Sequence, residues 1–298
     1  MKVLVTGANG MLGIDLCAEL EAAGHTVVRA DASVREGLVV PAWVHVDVTN
    51  TREIEECLLY HQPDAVIHAA AYTDVDGCER NPDLAFRVNA FGTWNVAAVC
   101  GAHRITLVYI STDFVFDGVK QTPYTEFDIP NPLSHYGASK LAGERYVTSL
   151  CLRHFIVRTS WLFGVHGKNF PDTILRKAAA QPEIGVVCDQ FGSPTYAPDL
   201  SRTLISLLGS PLYGTYHVTN SGHCSWHEFA QKAVEMAGLK NVVVKPTPAE
   251  LWPSPTKRPA YSVLRHFALE LQGRDNLPPW PEALARFIAA REAKGSKN

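Results

Sequence analysis

The stretch KVLVTGANGMLG (residues 2–13) decides how the rest of the chain is read. Lys2 to Thr6 is a short β-branched run, and Gly7, Gly10 and Gly13 follow it at GxxGxxG spacing. Beyond them Leu12, Leu16 and Leu20 recur at helical spacing. A strand that passes through glycines into a helix has two readings. The glycines can simply permit a tight turn. They can also let backbone amides approach a dinucleotide pyrophosphate, which the helix N-terminus attracts through unpaired N–H groups and its dipole. Their place directly after the first strand favours the second reading.

Working outward, strand and helix patterns alternate. Residues 26–31 and 43–48 read as strands, 52–62 as a helix, 65–70 as a buried strand and about 82–103 as a long helix. Residues 106–112 are the next strand, 136–151 a helix and 154–164 another strand. Such alternation implies βαβ units and a parallel sheet covered on both faces. The fold class expected is α/β, a Rossmann-type doubly wound parallel sheet with a smaller α/β substrate-binding lobe. Long loops at 181–198 and 246–262 break the regularity, and 214–222 looks like one more strand returning to the sheet. The division expected is therefore 1–165, with 199–222 returning to it, against a lobe of 166–198 and 223–298. The polar tail from Arg291 is expected to fray.

Bulk properties narrow the function classes. The chain has 298 residues, 46% hydrophobic and 19% charged, with a formal net charge of −3. No long basic run argues for nucleic acid as a partner. No apolar run approaches the ~20 residues that span a membrane. The apolar start is too short for a secretory signal. A cytoplasmic protein is expected. The seven cysteines are scattered without a CxxC pair and read as reduced core thiols. His223, Cys224 and His227 lie close together, yet Ser225 to Glu228 reads as a capping box opening a helix near Trp226, and no metal site is expected there.

Three further features carry chemistry. Asp31 ends the second strand, 18 residues beyond Gly13, where an acid binds adenosine ribose hydroxyls. Arg29 and Arg35 sit near enough to meet a 2′-phosphate instead, so NADPH and NADH both stay open. Asp47 and Val48, ending the third strand, would lie near the adenine, although Asp47 also reads as a turn acid in DVTN. Tyr136 and Lys140 in SHYGASK (134–140) stand at i and i+4, on one helix face. An ammonium at ~4 Å in an effective dielectric of ~20 favours a phenolate by about 4 kcal/mol, while burial of the phenol opposes it. Lys140 is therefore expected to bring Tyr136 toward a useful acid strength. Thr112, at the end of strand 106–112, offers a hydroxyl beside that tyrosine.

These pieces resemble the extended short-chain dehydrogenase/reductases. The matches are GANGMLG, HAAAYTDVDGCE (68–79), Val88-Asn89, STDFVFDG (111–118) and YGASK (136–140). Within that family the chain is most similar to the dTDP-4-dehydrorhamnose reductases, through STDFVFDG, RTSWLFG (158–164), DQFGSPT (189–195) and RPAYSVL (258–264). The resemblance implies a catalytic set of Thr112, Tyr136 and Lys140, with Tyr136 as proton donor. It implies cofactor contacts from Gly7, Asn9, Gly10, Met11, Leu12, Gly13, Asp31, Asp47, Val48, Ala69, Ala70, Ala71, Tyr136 and Lys140, along a segment from His68 to Tyr72. It implies substrate contacts from Thr73, Val75, Asp113, Val115, Phe116, Trp161 and Arg258. The substrate implied is a small dTDP-linked 4-keto-6-deoxy sugar, reduced at C4 by NADPH or NADH, and a homodimer is possible. The family's metal-linked dimer uses acidic residues; Asp15 stands where a glutamate would be, and no metal is expected.

Alternatives within this resemblance stay open at this point. A related epimerase or dehydratase shares the loop and the Tyr/Lys pair, although Asp113 is followed by Phe114 rather than a glutamate. A non-catalytic regulator resembling the regulatory subunit of methionine adenosyltransferase is another. Lys168 and Asn169 read equally as solvated loop polarity or a phosphate contact, and Gln190 and Thr195 as turn residues or substrate contacts. A reductase of opposite C4 stereochemistry would carry the same catalytic residues.

Overall fold

A computed structural model of the protein describes residues 1–33 and 42–295. Its elements begin with β1 (Lys2–Thr6), α1 (Met11–Ala22), β2 (Thr26–Asp31), β3 (Val44–His45), α2 (Thr51–His61) and β4 (Ala65–His68). There follow α3 (Val75–Arg80), α4 (Pro82–Ala85), α5 (Thr93–Ala102), β5 (Thr106–Thr112), α6 (His135–Leu150) and β6 (His154–Thr159). After β7 (Leu162–Phe163), α7 (Phe170–Ala180), β8 (Glu183–Val187), β9 (Phe191–Gly192) and β10 (Thr195–Tyr196) comes α8 (Ala197–Leu208). The chain ends with β11 (Gly214–His217), β12 (Cys224–Ser225), α9 (Trp226–Met236), β13 (Val243–Thr247), α10 (Phe267–Leu271) and α11 (Trp280–Gly295).

The main sheet runs β11-β6-β5-β4-β1-β2-β3, and its pairs are parallel. This is the Rossmann-type, doubly wound order. The direction of winding reverses between β1 and β4, and ligands of such folds bind outside the strand ends at that reversal. The strands read as nearly continuous apolar runs because both faces are buried. Val3, Val5, Val108, Phe155 and Val157 pack with Leu12, Leu16 and Leu20 of α1 and Leu200 and Leu204 of α8. Leu4, Val66, Leu107, Tyr109 and Ile156 point the other way, onto Ile54, Val96 and Val147. Each fully buried leucine or valine contributes about 1.5–3 kcal/mol.

β8 and β13 form a separate parallel pair packed against α7 and α9, and Phe229 of α9 joins Phe163 and Phe287 in a neighbouring aromatic core. The capping box expected at α9 is present: Ser225 Oγ accepts from the Glu228 amide, and Glu228 accepts from the Ser225 amide.

Four local expectations are corrected. The strand read at 43–48 is only Val44–His45, since Val46 turns away into DVTN. The single helix of 82–103 carries a π-helical stretch, Phe86–Gly92, between α4 and α5, which periodicity at 3.6 cannot reveal. The strand 154–164 is interrupted at Ser160 and Trp161; Trp161 takes φ +47°, a left-handed backbone rare outside glycine. The tail does not fray at Arg291, because α11 continues to Gly295, tied down by Arg291 on Asp172 (2.8 Å) and Lys294 on the Val165 carbonyl (2.9 Å).

Candidate active site

At the winding reversal lies a cleft of about 870 Å³, lined on one side by the glycine loop and strand ends and on the other by Trp161, Trp226 and Arg258. A separate groove of about 670 Å³ around His223, Glu228 and Trp280 contains none of Thr112, Tyr136 and Lys140.

The glycine loop is shaped by close approach. Gly7 has φ +69°, and a Cβ there would sit 2.7 Å from the Ala70 amide nitrogen on β4's continuation. Helix α1 opens at Gly10 without a side-chain cap, and among the described residues no side chain caps its first-turn amides. The Asp31 carboxylate accepts from the amides of Asn9 (2.9 Å) and Ser33 (3.3 Å), which fixes it at the cleft. The Asn9 amide group donates to the Ser33 carbonyl at 2.9 Å, and its Oδ1 is buried with no hydrogen-bond partner among the described residues. Uncapped amides, a held carboxylate and an orphaned acceptor together fit a dinucleotide.

Arg29 is turned to Glu21 at 2.7 Å and does not line the cleft; Arg35 lies outside the described residues. Asp47 lines the cleft with Val48 and also makes the turn contact, accepting from the Thr49 amide at 2.9 Å. Ala69, Ala70 and Ala71 line it too. His68 does not: it is fully buried, bridging Thr6 Oγ1 (2.7 Å) and Thr93 Oγ1 (3.1 Å), and burial first, then Lys140, push its pKa down to about 3.

Tyr136 and Lys140 enter on α6. Ser134 caps that helix, accepting from the Gly137 amide at 3.1 Å. Gly137 is needed because a Cβ there would lie 2.1 Å from the Phe114 carbonyl oxygen. The helix start is thereby pressed against the end of β5, and Tyr136 packs edge-on to Phe114 with ring centroids 5.5 Å apart. Thr112 Oγ1 donates to Asp113 Oδ1 (3.1 Å) and accepts from the Phe114 amide (3.2 Å). Asp113 Oδ2 accepts from Ser262 Oγ at 2.5 Å. Burial pushes the Asp113 carboxyl up to about 6, with the Ser262 and Thr112 hydroxyls pulling it back.

The expected effect of Lys140 on Tyr136 is corrected here. Burial pushes the Tyr136 phenol above its ordinary value, the Thr112 hydrogen bond opposes, and Asp113 and Cys78 raise it further. Lys140 is itself 3% exposed, with Nζ 4.2 Å above the Tyr109 ring. Burial pushes its pKa down to about 7, with Glu144 opposing. Desolvation thus leaves Lys140 only partly charged near neutral pH, and burial of its own phenol keeps Tyr136 protonated there.

Of the substrate contacts expected, Thr73, Val75, Asp113, Trp161 and Arg258 line the cleft. Val115 and Phe116 do not. Both are fully buried in a cluster with Tyr124, Leu141 and Leu264, because the turn Asp113–Val115 rotates them under the sheet end. Trp161 stacks on Trp226 with centroids 3.4 Å apart and planes 8° off parallel. DQFGSPT lies behind this stack: the Trp161 carbonyl accepts from the Thr195 amide (3.3 Å), and Ser160 Oγ donates to the Ser193 carbonyl (2.5 Å). Thr195 is fully buried, and neither it nor Gln190 lines the cleft. Lys168 does line it, whereas Asn169 caps α7 and braces the Gly164 and Gly167 carbonyls. Arg258 reaches across to Asp76 at 3.1 Å.

Sequence reasoning missed Ser33, Phe114, Ser160 and Trp226 as cleft residues. For Trp226 the available signal was the capping box, which places it in the first turn of α9 but does not say what it faces. Asn89 within the π-helical stretch is a hidden brace. Its side chain accepts from the Tyr72 amide (2.7 Å) and donates to the Tyr72 carbonyl (3.0 Å) and Ser139 Oγ (3.1 Å).

Among the described residues no helix is long and apolar enough to cross a membrane. Residues 1–293 match the family model of the RmlD substrate binding domain. The dTDP-4-dehydrorhamnose reductase of Bacillus anthracis str. Ames, solved in complex with NADP, is 42% identical with a TM-score of 0.91, over 97% of this chain and 99% of that one. The Clostridium acetobutylicum dTDP-4-dehydrorhamnose reductase is 40% identical with a TM-score of 0.91, over 98% of this chain and 100% of that one. The dTDP-4-dehydrorhamnose reductase of Aggregatibacter actinomycetemcomitans is 38% identical over 98% of this chain and 99% of its own length.

Proposed function

The chain belongs to the family of the RmlD substrate binding domain, and on that premise we propose that it reduces the C4 ketone of dTDP-4-dehydrorhamnose to dTDP-L-rhamnose with NADPH or NADH. The observation that carries the reading is the convergence of Thr112, Tyr136 and Lys140 on the cleft that also holds the glycine loop and Asp31.

A bound reduced nicotinamide supplies the hydride. The protein supplies the rest. Tyr136, kept protonated by burial, gives its phenolic proton to the C4 oxygen of the sugar. The Thr112 hydroxyl, which gives its proton to Asp113 when no substrate is bound, turns that proton to the C4 oxygen and directs it toward Tyr136. The Trp161–Trp226 stack forms the apolar wall against the sugar, and Arg258 offers charge to the diphosphate. We assign 1–165 with 199–222 to the dinucleotide part, and 166–198 with 223–298 to the substrate lobe. The proposal includes a cytoplasmic setting and a homodimer, the latter read out by sedimentation.

Protein mixed with NADPH and dTDP-4-dehydrorhamnose is expected to oxidise the nicotinamide, followed by its near-ultraviolet absorbance, with the C4 configuration of the product read by NMR. Protein that purifies with stoichiometric NAD and causes no net oxidation would point to an epimerase instead.

A further inference from the structure

Behind Lys140 lies a buried charge cluster that the reduction as written leaves unused. Glu144 and Arg158 are 4% and 5% exposed. Arg158 donates through Nε to Glu144 Oε1 (2.9 Å) and through Nη2 to Oε2 (2.7 Å), and Ser111 Oγ donates to Oε1 at 2.5 Å. Both charges have left water, and a buried ion pair is often no more stabilising than apolar residues of the same size. Stability alone is therefore a weak reason for it. Its position is more informative. Glu144 stands one helical turn beyond Lys140 on α6, so the two side chains share a face. Ser111 directly precedes Thr112, and Arg158 lies two residues before Ser160, which lines the cleft.

The groups around Lys140 come from several elements. The Tyr109 ring of β5 lies under its Nζ at 4.2 Å. His68 of β4 is held neutral by burial and by Lys140 itself, and Tyr136 of α6 is held protonated. Arg158 of β6, which also approaches His217 of β11 at 3.5 Å, carries the same sign as Lys140. Among the described residues, Glu144 is the group whose charge supports the ammonium against its burial.

We propose that Glu144 is a positioning residue for the reduction: its carboxylate, pinned by Arg158 and Ser111, keeps the Lys140 ammonium charged at the cleft wall. The inference rests on the reductase reading given above. An ammonium that must be charged supports turnover below its own pKa and fails as pH rises through it. Removing Glu144 therefore moves that loss to lower pH.

The test uses Glu144→Gln, which keeps the size and one acceptor but not the charge. Lysine labelled with carbon-13 at Cε reports the Lys140 titration directly, the signal being assigned by its loss in Lys140→Met. The midpoint is expected to fall by about one pH unit or more, because the nearest supporting charge is gone. The alkaline limb of kcat should move with it, giving roughly tenfold lower turnover above the wild-type midpoint and near wild-type turnover well below it. An unchanged Lys140 midpoint overturns the proposal. Glu144→Gln/Arg158→Met removes the cation left unpaired, and serves if the single variant does not fold. A Lys140 midpoint still below wild type in the double variant supports the proposal; a wild-type midpoint overturns it. Absence of turnover in the unsubstituted protein would sink the reductase reading, while the titration would still decide the role of Glu144.

Discussion

On the sheet side of the cleft, the groups that face it come from strand ends and the first two turns of helices: Gly7 to Gly13 after β1, Ala69 to Ala71 after β4, Thr112 at the end of β5, and Tyr136 and Lys140 on α6. On the lobe side, Trp161, Trp226 and Arg258 come from an interrupted strand, a helix start and a long loop. The sheet side is held by regular hydrogen bonding and close backbone approach. The lobe side is held by aromatic stacking and by single contacts such as Arg258 on Asp76. The first should govern chemistry and cofactor binding, and the second should govern the sugar nucleotide.

The largest test of that contrast is Tyr136→Phe. Loss of the proton donor should lower kcat by about 10²–10⁴-fold, while the dissociation constant for NADPH, followed by nicotinamide fluorescence, stays close to wild type. Unchanged kcat would remove Tyr136 from the chemistry.

Asp113 joins the two sides, through Thr112 on one and Ser262 on the other. Its folded pKa, pushed up to about 6 by burial, stands above the ordinary 3.8. The folded state thus binds more protons than the unfolded chain between those values, and stability falls as pH rises through that window. Asp113 alone should contribute a loss of up to roughly 3 kcal/mol there, at 1.36 kcal/mol per unit. Asp113→Asn should lose less over the same range in denaturant titrations. Parallel curves for the two proteins would show that Asp113 is ionised in the fold throughout.

Trp226→Leu gives the smallest effect. Loss of the stack, worth about 0.5–1.5 kcal/mol, should free Trp161 from its strained backbone and raise KM for the sugar nucleotide about three- to tenfold. Cofactor affinity should not move. If it falls together with KM, the two sides are coupled and the contrast is wrong.

These tests divide along the line at which sequence reading stopped. The glycine loop, Asp31, Thr112, Tyr136 and Lys140 were legible because each sits at a fixed offset on a regular element, where period and register dictate direction. Val115 and Phe116 were misplaced because a single turn after Thr112 rotates them into the Tyr124–Leu264 cluster, and spacing carries no record of that rotation. The π-helical stretch at Phe86–Gly92 and the left-handed Trp161 were invisible for a related reason. Both are backbone states that tertiary packing imposes against local preference.

The sequence by itself determined the doubly wound sheet, the glycine loop and the placement of Tyr136 and Lys140 one turn apart on α6. Hydrophobic period and i, i+4 geometry are local properties, and they survive being read one residue at a time. Only the tertiary structure decided the protonation of the pair and the identity of the facing wall. Desolvation depends on everything packed around a group: Tyr109, His68 and Glu144 around Lys140, and Trp226, from a helix 65 residues away in the chain, against Trp161.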